Sequence, residues 1–273
     1  MKSSSTHLPS LLGSLLFVTG ATLIIGVSFL LAVMALGSLL TGRPIEVRET
    51  ILVVVTAFEG LLLVGAAYVS IQKFRQKSFA DAESSFAISS WQIAACLAAA
   101  GIAIWVGQQI LDQAPVNRLV LPLLTLPAVL LPILVLFGLG VRGIPLGPRW
   151  RVWNVLGISM TLVPFIIFLL EALAGLVIFI LVALFIGSQP GLMAEMERLS
   201  QQIYMLQTDP EALMQLMAPL MLKPGVVLVG LTFFSILVPL MEELFKPLGV
   251  WLFANQISSP AQGLALGAMS GSA

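Results

Sequence analysis

The sequence predicts an all-α fold, a polytopic transmembrane helical bundle with about six full spans and an incomplete seventh. Of the 273 residues, 59% are hydrophobic and only 10% are charged, whereas an average soluble domain carries about 25% charged residues. The apolar residues also fall into long runs, and about 20 in succession cross a hydrocarbon core of roughly 30 Å as a helix. We therefore expect an integral membrane protein whose first partner is the lipid bilayer.

Six apolar runs are long enough to be full spans. They cover residues 11–40, 51–71, 91–111, 119–139, 152–186 and 226–253. A signal peptide has a shorter apolar stretch, of about 7–15 residues, so the first run is expected to be a retained span. A seventh apolar stretch begins at Pro260. As a helix it would be only about 21 Å long at Ala273, which is too short to cross the core.

Prolines and length make two of these spans irregular. The fourth run contains Pro122, Pro127 and Pro132, and a kinked helix is predicted there, since neighbouring groups in membrane proteins satisfy the carbonyls that prolines free. The fifth run would reach roughly 50 Å as one helix. It must therefore tilt, break near Pro164 or project beyond the bilayer.

Residues 189–223 form the sizeable polar segment of the chain. Its apolar residues recur at three- and four-residue spacing, and they are Met193, Met196, Leu199, Ile203 and Leu206. This spacing predicts an amphipathic helix at the membrane interface. Its methionine-rich face would rest on lipid headgroups or, alternatively, grip an extended substrate.

The orientation is predicted from the basic residues in the loops. Seven lie on the side of the N-terminus, and they are Lys2, Lys73, Arg75, Lys77, Arg142, Arg149 and Arg151. Five lie on the opposite side, and they are Arg43, Arg48, Arg118, Arg198 and Lys223. The excess predicts a cytoplasmic N-terminus and an extracytoplasmic 189–223 segment.

The remaining composition excludes several classes of function. The net charge is zero, from 13 basic and 13 acidic residues, so no bulk charge favours nucleic acid as a partner. Cys96 is the single cysteine and forms no intrachain disulfide. The single histidine is His7, so the sequence has no His/Cys cluster of the kind that binds zinc.

Charged residues inside apolar spans are the candidate functional groups, because each is costly there and usually has a role. Five qualify, and they are Glu59, Glu171, Glu242, Glu243 and Lys246. The last three form a cluster, and on a helix Lys246 would lie one turn from both Glu242 and Glu243. Two adjacent carboxylates near an ammonium group suit a general base that activates water. Alternatively, the cluster marks a helix end at the interface, although the apolar run resumes at once after Pro247.

The sequence of residues 242–250 is Glu-Glu-Leu-Phe-Lys-Pro-Leu-Gly-Val, which resembles the Glu-Glu-x-x-Lys signature of PrsW-type membrane proteases. That family belongs to a clan with the CAAX prenyl-protein proteases and bacteriocin-immunity proteins. Many PrsW-like sequences have a third glutamate where this chain has Met241. The glycines that follow, Gly263, Gly267 and Gly271, share one predicted helix face where helices can pack backbone to backbone, and they resemble the opening of the family's next span.

The resemblance implies proteolysis of a membrane-anchored protein in or beside the bilayer of a prokaryotic plasma membrane. The best-known family role is cleavage of an anti-sigma factor. By carry-over, Glu242 or Glu243 activates the water and Lys246 is their electrostatic partner. The cofactor stays unknown, with a divalent metal such as zinc as one option. The implied regions are 1–188, about five spans, then 189–223, the interfacial segment, and 224–273, the start of a protease core.

The family's second glutamate motif and its later histidine are not among these residues. The chain is therefore expected to be a truncated reading frame and to be inactive by itself.

Two other classes of function remain open. Glu59, whose neighbour Gly60 lets another helix approach, and Glu171 are expected to be structural partners rather than catalytic groups, but they are also the ion sites that a transporter would use. Transporters often contain inverted repeats and paired broken helices, and no clear repeat is found in the sequence. The third class is a non-catalytic membrane scaffold whose glutamates hold helices together.

Overall fold

The computed structural model describes residues 8–42, 46–113, 116–188, 190–205 and 210–272. The protein is all-α, as predicted. Its helices are α1 Leu8–Leu40, α2 Val47–Phe74, α3 Ser78–Asp81, α4 Ser90–Ile110, α5 Val116–Gly140, α6 Arg149–Gly187, α7 Pro190–Met205, α8 Pro210–Met221, α9 Pro224–Thr232, α10 Val238–Phe245, α11 Leu248–Trp251 and α12 Pro260–Ser272. A π-helical segment, Phe233–Leu237, joins α9 to α10, and a 3₁₀ turn, Ala254–Gln256, follows α11. Two short strands, β1 Glu83–Ser84 and β2 Gly147–Pro148, pair antiparallel.

Six segments of the described chain are long and apolar enough to cross a membrane, as expected of an integral membrane protein. They are Leu8–Ser38, Val47–Phe74, Ser90–Ile110, Val116–Gly140, Arg149–Phe185 and Pro224–Trp251. Each overlaps one of the six predicted runs. Large apolar side chains remain uncovered along these helices, for example Phe29, Phe168 and Phe179, which are 70, 68 and 69% exposed. Such exposure is typical of surfaces that face lipid, because acyl chains are as apolar as the side chains themselves.

The prolines of the spans lie within continuous helices. Pro122, Pro127 and Pro132 are inside α5, and Pro164 is inside α6. The helix does not break at Pro164. Its 39 residues reach about 58 Å, so tilt or projection beyond the bilayer remain as the ways to accommodate its length.

The chain divides into two compact units. The first unit comprises the described residues of Met1–Val163 and Lys246–Ala273, and the second is Pro164–Phe245. The predicted regions 1–188, 189–223 and 224–273 were drawn from composition and resemblance rather than from packing, and that division stays a prediction.

Close approaches at glycines hold the first unit together. A Cβ atom added at Gly60 of α2 would lie 2.5 Å from Ile25 of α1. One added at Gly65 would lie 3.0 Å from the Trp153 ring, and one at Gly157 of α6 would lie 2.6 Å from the Phe17 ring. Small residues let membrane helices approach closely where no hydrophobic effect drives them together. The close approach predicted at Gly60 is thereby confirmed.

The loops after α2 and α5 meet at one end of the first unit. β1 pairs with β2 in the register Glu83↔Pro148 and Ser84↔Gly147. Lys73, in the last turn of α2, forms a 2.5 Å ion pair with Asp81 of α3. The prediction that the basic loops after the second and fourth spans lie on the same side of the protein is therefore confirmed.

In the second unit, the latter part of α6 lies beside α9 and the π-helical segment. A Cβ atom at Gly175 would contact the Phe233 ring at 3.8 Å. Further along α6, an apolar groove of about 360 Å³ lies between this helix and the stretch formed by α9 and the π-helical segment. The helix predicted in the polar segment is present as α7, where Leu199 and Ile203 are half-buried and the intervening side chains are exposed. Leu206 and the side chains of Met193 and Met196 lie outside the described residues.

Candidate functional site

The sixth span changes its helical form just before the glutamate pair. Pro239 has no backbone N–H, and its ring would clash with the carbonyl of Ser235, four residues earlier, in a regular α-helix. The backbone N–H of Val238 instead donates to the carbonyl of Phe233, five residues earlier. This π-type widening relieves the clash. Such π-helical turns occur frequently at functional sites.

Glu242 and Glu243 follow within α10 and lie in different surroundings. The side chain of Glu242 is half-buried, whereas that of Glu243 is exposed. Successive residues of an α-helix project about 100° apart, so the two carboxylates leave the helix in different directions. The pair therefore offers one half-buried and one exposed carboxylate within a single apolar span.

Lys246 stands immediately after the helix rather than within it. α10 ends at Phe245, residues 246 and 247 form a turn, and α11 begins at Leu248. A residue before proline is pushed out of the helical region by the proline ring, so Pro247 ends the helix here. The helical spacing predicted over 242–246 is regular as far as Phe245, and Lys246 lies just past the helix end. The predicted contact of the Lys246 ammonium with the carboxylates stays a prediction.

The backbone of Lys246 is anchored within the first unit by two serines. The Ser270 hydroxyl donates to the Lys246 carbonyl and lies 2.6 Å from the Ser159 hydroxyl. Ser159 in turn lies 2.8 Å from the carbonyl of Val155 in its own helix. Each hydroxyl has one proton. Because the Ser270 hydroxyl donates its proton to the backbone carbonyl of Lys246, the Ser159 hydroxyl proton is shared between the Ser270 hydroxyl oxygen and the Val155 carbonyl.

Gly249 brings the segment after the turn onto α6. A Cβ atom at this position would lie 2.8 Å from the Ser159 hydroxyl and 3.0 Å from the Val155 carbonyl. The glycine of the Pro-Leu-Gly sequence is therefore a close-packing position, and this contact places the chain after Lys246 against the same turn of α6 as the two serines.

A second set of polar contacts fixes the segment between α11 and α12. The Gln262 amide donates from Nε2 to the Pro145 carbonyl at 3.1 Å, and its Oε1 accepts from the Ser258 N–H at 2.9 Å. Arg151, which is 5% exposed, donates from Nη1 to the Gln256 carbonyl. Together with Ser270, these buried groups tie the 246–272 segment to the loop before α6 and to the first half of that helix.

α12 packs through a different face from the one predicted. Its buried residues are Gln262, Ala265, Leu266 and Ser270. Added Cβ atoms at Gly267 and Gly271 would meet nothing within 4 Å among the described residues, and one at Gly263 would meet only Ile257 at 3.6 Å. Within the described chain, therefore, no helix packs backbone to backbone against the glycine face. The face that is buried instead contains Leu266, and its polar side chains, Gln262 and Ser270, form hydrogen bonds there. The glycine face has no side chains that could form such contacts.

The five predicted groups are divided between the units. Glu171, Glu242 and Glu243 belong to the second unit, whereas Glu59 and Lys246 belong to the first. Glu59 and Glu171 are both half-buried, in α2 and α6 respectively.

The donors needed for zinc are not gathered in the described part of the chain. No group of three His, Cys, Asp or Glu side chains converges there. Catalytic zinc sites use three protein ligands and an open position. Because two adjacent carboxylates fall short of that set, we derive the chemistry from the carboxylates themselves.

Sequence reasoning missed the anchoring residues Ser159, Gln262 and Ser270. Each is polar within an apolar helix, and that is the signal by which they could have been found. Arg151 was counted only as a loop charge, although it is buried.

Comparison with known protein families, with curated proteins and with solved structures finds no match.

Proposed function

We propose that the protein is a PrsW-like membrane-embedded endopeptidase that cleaves a membrane-anchored regulatory protein, such as an anti-sigma factor, within or beside the bilayer. The observation that carries the proposal is the interruption of the sixth span on both sides of the glutamate pair. The π-helical segment lies before Glu242 and Glu243, and the turn at Lys246 and Pro247 lies after them. Irregular backbone at membrane depth is tolerated where it is buried in protein or lines a water-filled cavity, and hydrolysis needs such a place for water.

The chemistry is general-base catalysis by one carboxylate. Glu242 or Glu243 takes a proton from a water molecule, and the resulting hydroxide attacks the carbonyl carbon of the scissile peptide. The protonated glutamate then returns that proton to the leaving amine, so water is added across the bond and the carboxylate is regenerated. The second carboxylate positions the water. Lys246, three residues after Glu243, is the electrostatic partner of the pair.

The test uses the protein expressed from its complete coding sequence in bacterial membranes. New protein N-termini in those membranes are identified by mass spectrometry for the wild type, Glu242→Gln and Glu243→Gln. Glu197→Gln, which changes an exposed carboxylate of α7, is the matched control. We expect a set of N-termini near transmembrane segments that the wild type and the control share and that at least one of the two glutamine variants lacks. The same set from the Glu242→Gln/Glu243→Gln double variant would reject the proposal.

The interrupted sixth span also favours a transporter as a second candidate. Discontinuous helices form the ion and substrate sites of many secondary transporters, and Glu59 and Glu171 would then be the ion-binding groups. Proton or sodium flux into vesicles containing the purified protein distinguishes the two. Flux lost in Glu59→Gln or Glu171→Gln but kept in Glu242→Gln would support transport.

A scaffold function predicts a different outcome for the same variants. If the glutamates only hold helices together, Glu242→Gln and Glu243→Gln lower the folded fraction in detergent, and neither cleavage nor flux is found in the wild type. Normal folding of a variant that has lost cleavage supports the enzyme.

We further propose that the N-terminus and the paired loops after α2 and α5 face the cytoplasm of a prokaryotic cell. The support is their shared content of basic residues, which follows the excess of Lys and Arg in cytoplasmic loops. In a Cys96→Ala background, Lys77→Cys should react with an impermeant maleimide only after the cells are opened. Labelling of intact cells would reverse the assignment.

A further inference from the structure

An open apolar groove runs along the first unit beside the end of α5. Its volume is about 450 Å³, and its walls are the last turns of α5, the residues that follow them and one side of α12. Phe137, Gly140 and Val141 form one wall, and Ala265 and Ala268 form the other. Since Ile133 also lines it, the groove extends about 10 Å along α5 from its end.

The small residues create the groove. Gly140 meets nothing within 4 Å where a Cβ atom would be placed, and Ala268 is exposed. Larger residues at these two positions would close the space between the walls. The lining is almost entirely apolar, so its occupant is a hydrocarbon chain rather than a polar solute.

The end of the first unit that borders this groove is strongly basic. Five basic residues lie in the paired loops and at the adjoining helix ends, and they are Lys73, Arg75, Lys77, Arg142 and Arg149. Two acidic residues, Asp81 and Glu83, lie among them, and Asp81 is paired with Lys73. Arg149 stacks over the Phe79 ring at 4.6 Å. Five basic residues against two acidic ones leave an excess of three positive charges at this end of the unit.

Arg142 is the basic residue next to the groove. It follows Val141 and precedes Ile144 by two positions, and both of those residues line the groove. Its side chain is exposed, and it makes no ion pair among the described residues. Clusters of four to eight Lys and Arg residues immediately outside membrane helices bind anionic lipid headgroups.

We propose that the groove is a binding site for an anionic phospholipid, with one acyl chain along Phe137, Gly140 and Ala268 and the headgroup phosphate on Arg142. The apolar lining recognises the chain, and the basic end recognises the negative charge. The site belongs entirely to the first unit and does not depend on the protease assignment.

The experiment measures lipid binding by native mass spectrometry on the purified full chain in mild detergent, titrated with phosphatidylglycerol and, separately, with phosphatidylcholine. We expect the wild type to bind phosphatidylglycerol more tightly than phosphatidylcholine. Arg142→Gln should weaken phosphatidylglycerol binding about fivefold, the contribution of one basic residue near an anionic surface. Ala268→Trp should abolish the binding of both lipids, since the indole fills the groove.

Arg118→Gln is the matched control, because Arg118 lies near the opposite end of the same helix. It should leave phosphatidylglycerol binding unchanged. Equal binding of the two lipids by the wild type, or equal losses in Arg142→Gln and Arg118→Gln, would overturn the site. A protein dimer that takes up no lipid and that Ala268→Trp dissociates would also overturn it, because the groove would then be a contact between two copies. Ala268 is exposed, so the tryptophan variant is compatible with folding, and Arg142→Gln tests the proposal independently.

Discussion

The hydroxyl oxygens of Ser159 and Ser270 lie 2.6 Å apart although the two residues are 111 positions apart in the chain. Ser159 is in the first half of α6 and Ser270 is at the end of α12. Both are buried, and the Ser270 hydroxyl also donates to the carbonyl of Lys246. The backbone that follows the glutamate pair is therefore held by a contact between two distant helices.

Loss of this contact should be measurable as coupled destabilisation. Ser159→Ala and Ser270→Ala are each expected to lower the free energy of unfolding by about 1 kcal/mol, because each removes a buried hydrogen bond. In a double-mutant cycle the coupling should be roughly 0.6 kcal/mol, the average for hydrogen bonds between membrane helices. Unfolding in mixed micelles provides the measurement. Ser272→Ala, on the same helix but exposed and bonded only locally to Met269, should change stability little. A coupling of zero would contradict the contact.

Two glycines near the chain's end are predicted to respond oppositely to alanine. Gly249→Ala should lower the free energy of unfolding by about 1–3 kcal/mol, since the new methyl group would lie 3.0 Å from the Val155 carbonyl. Gly267→Ala has open space among the described residues and should be neutral or stabilising by up to about 1 kcal/mol through helix propensity. Thermal unfolding of the two variants in the same detergent compares them directly. Equal destabilisation would mean that the glycine face of α12 is packed after all.

Asn154 should act as a polar link between α6 and α2. Its Nδ2 donates to the Ser70 hydroxyl at 2.9 Å, and both side chains are buried. Asn154→Ala leaves Ser70 without this donor and is expected to cost about 1–2 kcal/mol of unfolding free energy. Asn154→Ala in a Ser70→Ala background should cost less than it does alone. Additive effects would show that the hydrogen bond contributes nothing.

Gln262 should stabilise the segment between α11 and α12 by satisfying two buried partners. Gln262→Ala removes the donor to Pro145 and the acceptor for Ser258, with an expected loss of about 1–3 kcal/mol. Protease digestion in detergent should then cut the 252–260 region faster than in the wild type. Gln109→Ala, an exposed glutamine of α4, provides the control. Unchanged digestion of the Gln262 variant would contradict the role assigned to this amide.

The spans could be predicted from the sequence because lipid makes a local demand on the chain. A helix in a bilayer must satisfy its own backbone hydrogen bonds within the segment, so length and apolar composition suffice to predict α1, α2 or α5. The glutamate pair was found for the same reason, because a charge within an apolar run is conspicuous. The end of α10 at Phe245 is also a local effect, of Pro247, but the regular spacing of the motif obscured it.

Only the tertiary structure decided which polar groups meet. Ser159 and Ser270 are recognisable in the sequence as polar residues within apolar helices, but the sequence does not pair them. Their contact exists because Gly249 lets the returning chain approach α6. The spacing of Gly263, Gly267 and Gly271 permitted one packing face of α12, whereas Gln262 and Ser270 found partners on another. A residue's type sets what it can bind and how closely it can be approached, but the partner is chosen by the packing of helices far apart in the chain. In a bilayer that packing depends on fit and on satisfied hydrogen bonds rather than on hydrophobicity.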